Sequence, residues 1–269
     1  MAGVARTPRS GARLLSAGPA ALILAGSRPG APDPVATSEG IAHKALAEVG
    51  GVPMLERVAR ALQAAGIERI AVSADASEVV ALAGRLGLEL IPPAAGPAQS
   101  VATALEKLGA PLLVTTADHA LLDPAWVRDF LADTPPGSDV AVLLARRDAV
   151  EAAAPGSRRT WLRFADGQWS GCNLFLLATP RSEAALALWR RVEAERKRPW
   201  RLAARIGVGT LAQYLLGRLA LGEAVARLGR RNGMAAAVVA ARDGLAAVDV
   251  DRPGDLVQVR AIVAAGKPA

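Results

Sequence analysis

The sequence predicts an α/β protein built as a Rossmann-like three-layer sandwich, with a mostly parallel sheet and a helical insertion toward its C-terminal end. Three observations predict it. Short apolar runs alternate with amphipathic segments along most of the chain, which is the pattern of repeated βαβ units. The runs are continuously apolar, as expected of parallel strands covered by helices on both faces. Prolines stand at two helix starts, where the missing N–H costs nothing.

Residues 21–25 form the first strand, which opens into the loop Gly26-Ser27-Arg28-Pro29-Gly30. Such a loop brings backbone N–H groups and a guanidinium to one edge of a sheet, where a nucleotide's phosphates can be held. A helix over 53–65 follows, begun by Pro53 after the Gly50-Gly51 turn. Strand 70–73, helix 77–86, strand 88–91, helix 98–108 and strand 112–115 continue the alternation. Pro124 begins a helix over 124–131, with Asp123 as its N-cap. Strands are then expected at 139–145, 160–164 and 169–178, the last two separated by the Asp166-Gly167 turn. From 181 to 230 the pattern is helical: Leu186, Trp189 and Val192 share a face, Pro199 breaks the run, and two shorter helices lie between 202 and 228. Residues 235–240 and 246–250 are the last strand-like runs before a helix over Pro253–Ala264.

A chain of 269 residues with 52% apolar content buries one sizeable core, and no linker divides it. One domain over 19–266, with its insertion at about 181–230, follows a basic tail of residues 1–18. The tail carries Arg6, Arg9 and Arg13 but only the apolar pair Leu14-Leu15, so it lacks a signal-peptide core. No stretch approaches the roughly 20 apolar residues that span a bilayer. The single Cys172 excludes an intrachain disulfide, and a cytoplasmic protein is expected. A net charge of +7 favours anionic partners, although an arginine-rich composition also follows from a high-GC genome. Aromatic residues make up 3%, too few for single-strand stacking platforms, so nucleotides and phosphoesters fit better than nucleic acid.

The strand, the Leu24-Ala25-Gly26 loop, Lys44, and then Gly50-Gly51-Val52-Pro53-Met54-Leu55-Glu56-Arg57-Val58 leading a helix resemble the opening of the nucleotidyltransferases related to molybdenum cofactor guanylyltransferase. The likeness runs from about residue 20 to residue 264. The family loop reads Gly-Gly-x-Gly-x-Arg, where this chain has Gly26-Ser27-Arg28-Pro29-Gly30 and an insertion over 31–43. The resemblance implies a magnesium-dependent enzyme that binds a nucleoside triphosphate through Leu24, Ala25, Gly26 and Ser27. Arg28 and Lys44 would contact the triphosphate. Asp118, ending the strand Leu112-Leu113-Val114-Thr115-Thr116, matches the family's metal-binding aspartate. The segment Asp249-Val250-Asp251-Arg252-Pro253-Gly254-Asp255-Leu256 is similar to the family's closing motif and supplies the second metal ligand.

In a strand Asp249 and Asp251 would share a face and both approach one cation, and Asp249 is the preferred ligand. Asp251 or Asp255 alternatively caps the last helix. Gly96 and Ser100 resemble the family segment that reads the nucleobase, though a capped turn explains the same letters. Asn173, in Ser170-Gly171-Cys172-Asn173, resembles the asparagine that faces the acceptor; a structural amide is the alternative. Arg159 and Trp161 suit an anionic acceptor with an apolar part, or contact with an anionic membrane surface. The cluster Arg190 to Arg201 reads first as a solvated helix face. His43 and His119 lack metal-ligand spacing; His119, beside Asp118, either touches the acceptor or bonds locally. Cys172 reads as a buried inert thiol.

The expected reaction joins the NMP of CTP or GTP to a phosphorylated small molecule or lipid head-group precursor, releasing pyrophosphate. An inactive nucleotide-binding adaptor is the first rival, motivated by the altered loop. A nucleotide-sugar-dependent glycosyltransferase is the second, and Asp118-His119-Ala120 lacks its Asp-x-Asp motif.

Overall fold

The first strand, β1 (Ala20–Leu24), is apolar throughout because both its faces are covered. Ala20, Leu22 and Leu24 face one helical layer, and Ala21 and Ile23 the other. The computed structural model describes residues 18–27, 32–195 and 208–266. β4 (Ile70–Ser73) pairs with β1, and β5 (Glu89–Ile91) with β4, both in parallel. On the other side β6 (Leu112–Thr116) runs parallel to β1. Then β9 (Gly167–Leu177) lies antiparallel between β6 and β7 (Val140–Arg146). β10 (Ala236–Ala240) closes that edge parallel to β7, and β8 (Leu162–Phe164) hairpins onto β9. Gly167 makes the hairpin turn at φ 130°, a conformation only glycine adopts without strain.

The helices complete a three-layer α/β sandwich. α2 (Met54–Ala64), α3 (Ser77–Arg85) and α5 (Pro124–Asp133) cover one face through Leu55, Val58, Leu62, Val79, Leu82 and Phe130. α4 (Pro97–Leu108) and α7 (Glu183–Glu195) cover the other through Val101, Leu105 and Leu186. Asp123 caps α5 by accepting from the Ala125 N–H at 2.6 Å, as its position before Pro124 predicts. α9 (Leu221–Arg231) sets Leu221 and Val225 against Leu144, Trp169 and Val238, and the exposed α8 (Val208–Leu215) precedes it.

A smaller core lies beside the functional edge. α1 (Pro34–Glu39), the hairpin of β2 (Glu48–Val49) and β3 (Val52–Pro53), and α10 (Pro253–Ala264) pack through Val35, Val49, Met54, Leu256 and Val259. Arg260 of α10 donates to both carboxylate oxygens of Glu39, at 3.1 and 2.6 Å, and to the Glu48 carbonyl at 2.9 Å.

Three differences from the sequence expectation matter. The insertion over 31–43 contains α1, which Asp33-Pro34 starts. α6 (Arg147–Ala153) follows β7 without a loop. Residues 246–250 are not a strand: Gly244–Ala247 forms a 3₁₀ turn pressed onto α6. A Cβ at Gly244 would stand 2.1 Å from the Ala149 carbonyl oxygen, so the turn requires glycine there. The expected roles of Arg28, of the break at Pro199 and of residues 196–201 in the arginine cluster lie outside the described residues. Among the described residues no helix is long and apolar enough to cross a membrane.

Candidate active site

The site begins with the turn that carries Lys44. Asp33 caps α1 by accepting from the N–H groups of Val35 and Ala36 at 2.9 and 3.0 Å, and Gly40 ends it at φ 65°. The chain then enters the 3₁₀ turn Lys44–Leu46, whose N-cap is His43. Lys44 Nζ donates to Asp118 Oδ2 at 2.6 Å, to Asp251 Oδ1 at 3.1 Å and to the Val250 carbonyl at 3.3 Å. Burial opposes the charge on Lys44, but the Asp118 and Asp251 carboxylates outweigh it and hold the ammonium above its ordinary range.

Asp118 stands just past the C-terminal end of β6, held by the Thr116 hydroxyl, which donates to its Oδ1 at 2.5 Å. The Ala117 N–H donates to the Leu24 carbonyl at 2.9 Å, and the Val250 N–H to the Asp118 carbonyl at 3.1 Å. Thus β1's loop, Asp118 and residues 249–251 meet at one carboxyl-terminal sheet edge, where open α/β sheets bind ligands. Gly26 and Ser27 are exposed there, and Leu24 is half-buried behind them. A Cβ on Gly26 would stand 3.7 Å from Pro93, so the glycine loop lies against the segment leading to Gly96, the N-cap of α4.

Asp249 belongs to a second cluster. Arg159 Nη1 pairs with its Oδ1, Arg159 Nη2 donates to its carbonyl at 2.9 Å, and Asn173 Nδ2 donates to its Oδ2 at 2.6 Å. The Arg159 side chain is only 7% exposed, and burial lowers its pKa. Asn173 reaches Asp249 because β9 bulges. Between Phe175, opposite Val142, and Gly171, opposite Leu144, it advances four residues against two on β7. Asn173 adopts φ 47°, the left-handed region that asparagine tolerates better than most residues.

Asp249 and Asp251 therefore turn to different partners rather than to the one face a strand would give them. No ladder holds the segment, and Asp249's two oxygens are taken by Arg159 and Asn173. Asp251, 62% exposed at its side chain, turns to Lys44. Asp255 is the helix-capping residue of the three, accepting from the N–H groups of Asp251 and Arg252 at 3.2 and 2.9 Å. Ser100 is spent inside its loop, accepting from the Ala94 N–H at 2.9 Å and donating to the Gly96 carbonyl at 3.2 Å. His119 is 1% exposed, stacks on Trp126 with centroids 6.2 Å apart, and offers no surface to an acceptor. Burial pulls its pKa down to about 4. Trp161 lies half-buried under the Arg147 guanidinium, 5.5 Å from the ring centroid. Cys172 is buried, and burial pushes its thiol pKa up.

Sequence reasoning missed Thr116, whose signal was a hydroxyl two residues before a strand-end aspartate, and the capping role of His43. Among the described residues no group of three or more His, Cys, Asp or Glu side chains could hold a metal ion. The donors around the Lys44 ammonium are two carboxylates and a carbonyl. Such hard oxygens suit magnesium when water and substrate phosphates complete its shell, so the set fits that ion.

A carboxyl-terminal sheet edge with an exposed glycine loop, a half-buried lysine and two carboxylates defines a nucleotide-handling α/β enzyme. Residues 21–245 match the model of the MobA-like NTP transferase domain, and the chain belongs to that family. The match includes Lys44, Asp118 and Asn173 and ends before Asp249. The chain is similar to a hypothetical transferase of Thermus thermophilus, at 34% identity and a TM-score of 0.75, over 88% of this chain and 99% of that one. A synthetase of CMP:2-keto-3-deoxy-manno-octonic acid complexed with CTP is 20% identical, with a TM-score of 0.56, over 92% and 99%. A nucleotidyl transferase of Methanothermobacter thermautotrophicus is 19% identical, with a TM-score of 0.55, over 92% and 98%. These last two likenesses concern the fold. No curated protein matches the chain. The protein is a nucleotidyltransferase.

Proposed function

We propose that this enzyme transfers the NMP of a nucleoside triphosphate to a phosphorylated small molecule or lipid head-group precursor, with magnesium, in the cytoplasm. The observation that carries the proposal is Lys44 Nζ, shared among Asp118, Asp251 and the Val250 carbonyl beside the exposed glycine loop. An oxygen of the acceptor phosphate attacks the α-phosphorus in line. One P–O bond forms as the bond from the α-phosphorus to the bridging oxygen breaks, and its electron pair leaves with pyrophosphate. Backbone N–H groups of Gly26 and Ser27 hold the phosphates, since the Ala25 N–H is spent on the Ser73 carbonyl at 2.9 Å, and the loop before Gly96 reads the base. Lys44 moves its charge from the carboxylates onto the phosphates, stabilising what develops there.

Asp118 and Asp251, with the Val250 carbonyl, would hold the cation, which supplies charge neutralisation to the triphosphate and the departing pyrophosphate. Asp249 is a positioning residue in this reading, because its oxygens are already committed. Arg159, Asn173 and Trp161 lie on the acceptor side, where Arg159 orders the wall through Asp249. The CTP-bound synthetase among the structural neighbours makes CTP the first triphosphate to try, and GTP the second.

The test measures pyrophosphate from each of the four triphosphates with magnesium and a panel of phosphorylated metabolites. Release with one triphosphate and one acceptor, lost on chelation and in Asp118→Asn, is expected. Silence with every pair would overturn the proposal in favour of a nucleotide-binding adaptor.

A further inference from the structure

His43 is not used by the reaction described above, yet it joins two of its parts. The residue is buried, 6% exposed, at the start of the Lys44 turn. Nδ1 accepts from the Ala45 N–H at 3.0 Å, the contact an N-cap makes with the second residue of its turn. Because Nδ1 accepts, the neutral ring must carry its proton on Nε2. The ring also lies against the Gly26 backbone, which favours its protonated form. One side chain therefore caps the turn presenting Lys44 and lies against the loop that follows β1.

We infer that His43 is a positioning residue for nucleotidyl transfer, holding Lys44 in register with the glycine loop only while its ring is neutral. The inference rests on the proposed reaction for its kinetic consequence, but not for its geometry. A protonated ring donates from both nitrogens and cannot accept from the Ala45 N–H, so the cap opens. The charged groups facing the ring are Asp33 before α1, Asp75 after β4, and Lys44 on the turn itself. Burial is the largest influence and lowers the ring's pKa; the two aspartates oppose it, and Lys44 reinforces it. The cap is thus present at neutral pH and is lost as pH falls through a midpoint below the ordinary value near 6.5.

The chain contains two histidines, so ring nitrogen resonances are assigned by comparing wild type with His43→Asn. Three results are expected. His43 is the Nε2–H tautomer at pH 7.5. Its protonation coincides with at least a tenfold loss of hydrogen-exchange protection at the buried Ala45 amide. The acid limb of kcat for pyrophosphate release follows the same midpoint. His43→Leu loses at least tenfold in kcat at every pH. His43→Asn, whose side-chain oxygen caps without titrating, rescues most of that loss and removes the limb. An Nδ1–H tautomer, an Ala45 amide indifferent to the ring's charge, or an acid limb unchanged in His43→Asn would each overturn the inference. If no triphosphate yields pyrophosphate, the proposed function fails alone, and the tautomer and exchange measurements still judge His43.

Discussion

Replacing Asp249 by Ala tests whether this carboxylate holds the site together or holds a metal. Its partner Arg159 is 7% exposed at the side chain, against 17% for Asp249 itself. Removing one member of a buried ion pair strands the other charge, at a cost of about 3–5 kcal/mol. Asn173 loses its acceptor as well, about 1 kcal/mol within that range. For a chain of this size each kcal/mol lowers Tm by roughly 2–4 °C, so Asp249→Ala should melt about 10 °C lower. Adding Arg159→Met, which removes the stranded charge, should recover more than half of the loss. Asp251→Ala is the contrast: its pair with Lys44 is exposed and worth about 0–1 kcal/mol, so stability barely changes while magnesium binding by calorimetry weakens. Urea unfolding of the four proteins without metal decides it. If Asp249→Ala unfolds within about 1 kcal/mol of wild type, the buried pair is not structural and the assignment of Asp251 over Asp249 loses its basis.

Other outcomes follow from the same geometry. Asp118→Asn should cut kcat for pyrophosphate release by at least about 100-fold, because Lys44 and the cation lose a shared charge, while circular dichroism stays that of wild type. Asn173→Ala should cost about 2 kcal/mol in urea unfolding, combining the lost bond to Asp249 with alanine's penalty at φ 47°. His119, neutral in the fold with its pKa near 4, binds fewer protons than in the unfolded chain. Its stabilisation is complete above the ordinary value near 6.5 and lost as pH falls toward 4, about 3 kcal/mol in all. The difference in unfolding free energy between wild type and His119→Leu should change by this amount across that range. Asp123→Ala should cost about 1 kcal/mol through the lost α5 cap.

Much of the architecture was legible because burial on both faces writes itself as apolar runs. β1, β6 and α10 stand within a residue or so of where periodicity and Pro253 put them. Lys44 and Asp118 were singled out by the family resemblance, Asp118 also by its strand end, and the structure joins the two side chains at 2.6 Å. What was not legible depended on contacts across long stretches of chain. Alternation gave Asp249 and Asp251 the same face, but the Gly244–Ala247 turn takes that segment out of any sheet, and Arg159, 90 residues away, claims one of them. Likewise Asn173 gains its reach from a bulge that shows only once β9 is paired with β7. His119 adjoins Asp118 in sequence yet turns into the core, since successive residues past a strand end need not share an exposure.

The bond between Lys44 and Asp251 joins residues 207 positions apart, and Arg260 reaches back 221 positions to Glu39. Translation runs from the N-terminal end, so the nascent polypeptide carries its lysine turn and most of its strands long before the last helix exists to brace them. Assembly of the reactive edge therefore waits until residues 249–260 have been made. A stop between residues 241 and 249 would leave every strand of the sheet and remove Asp249, Asp251 and α10.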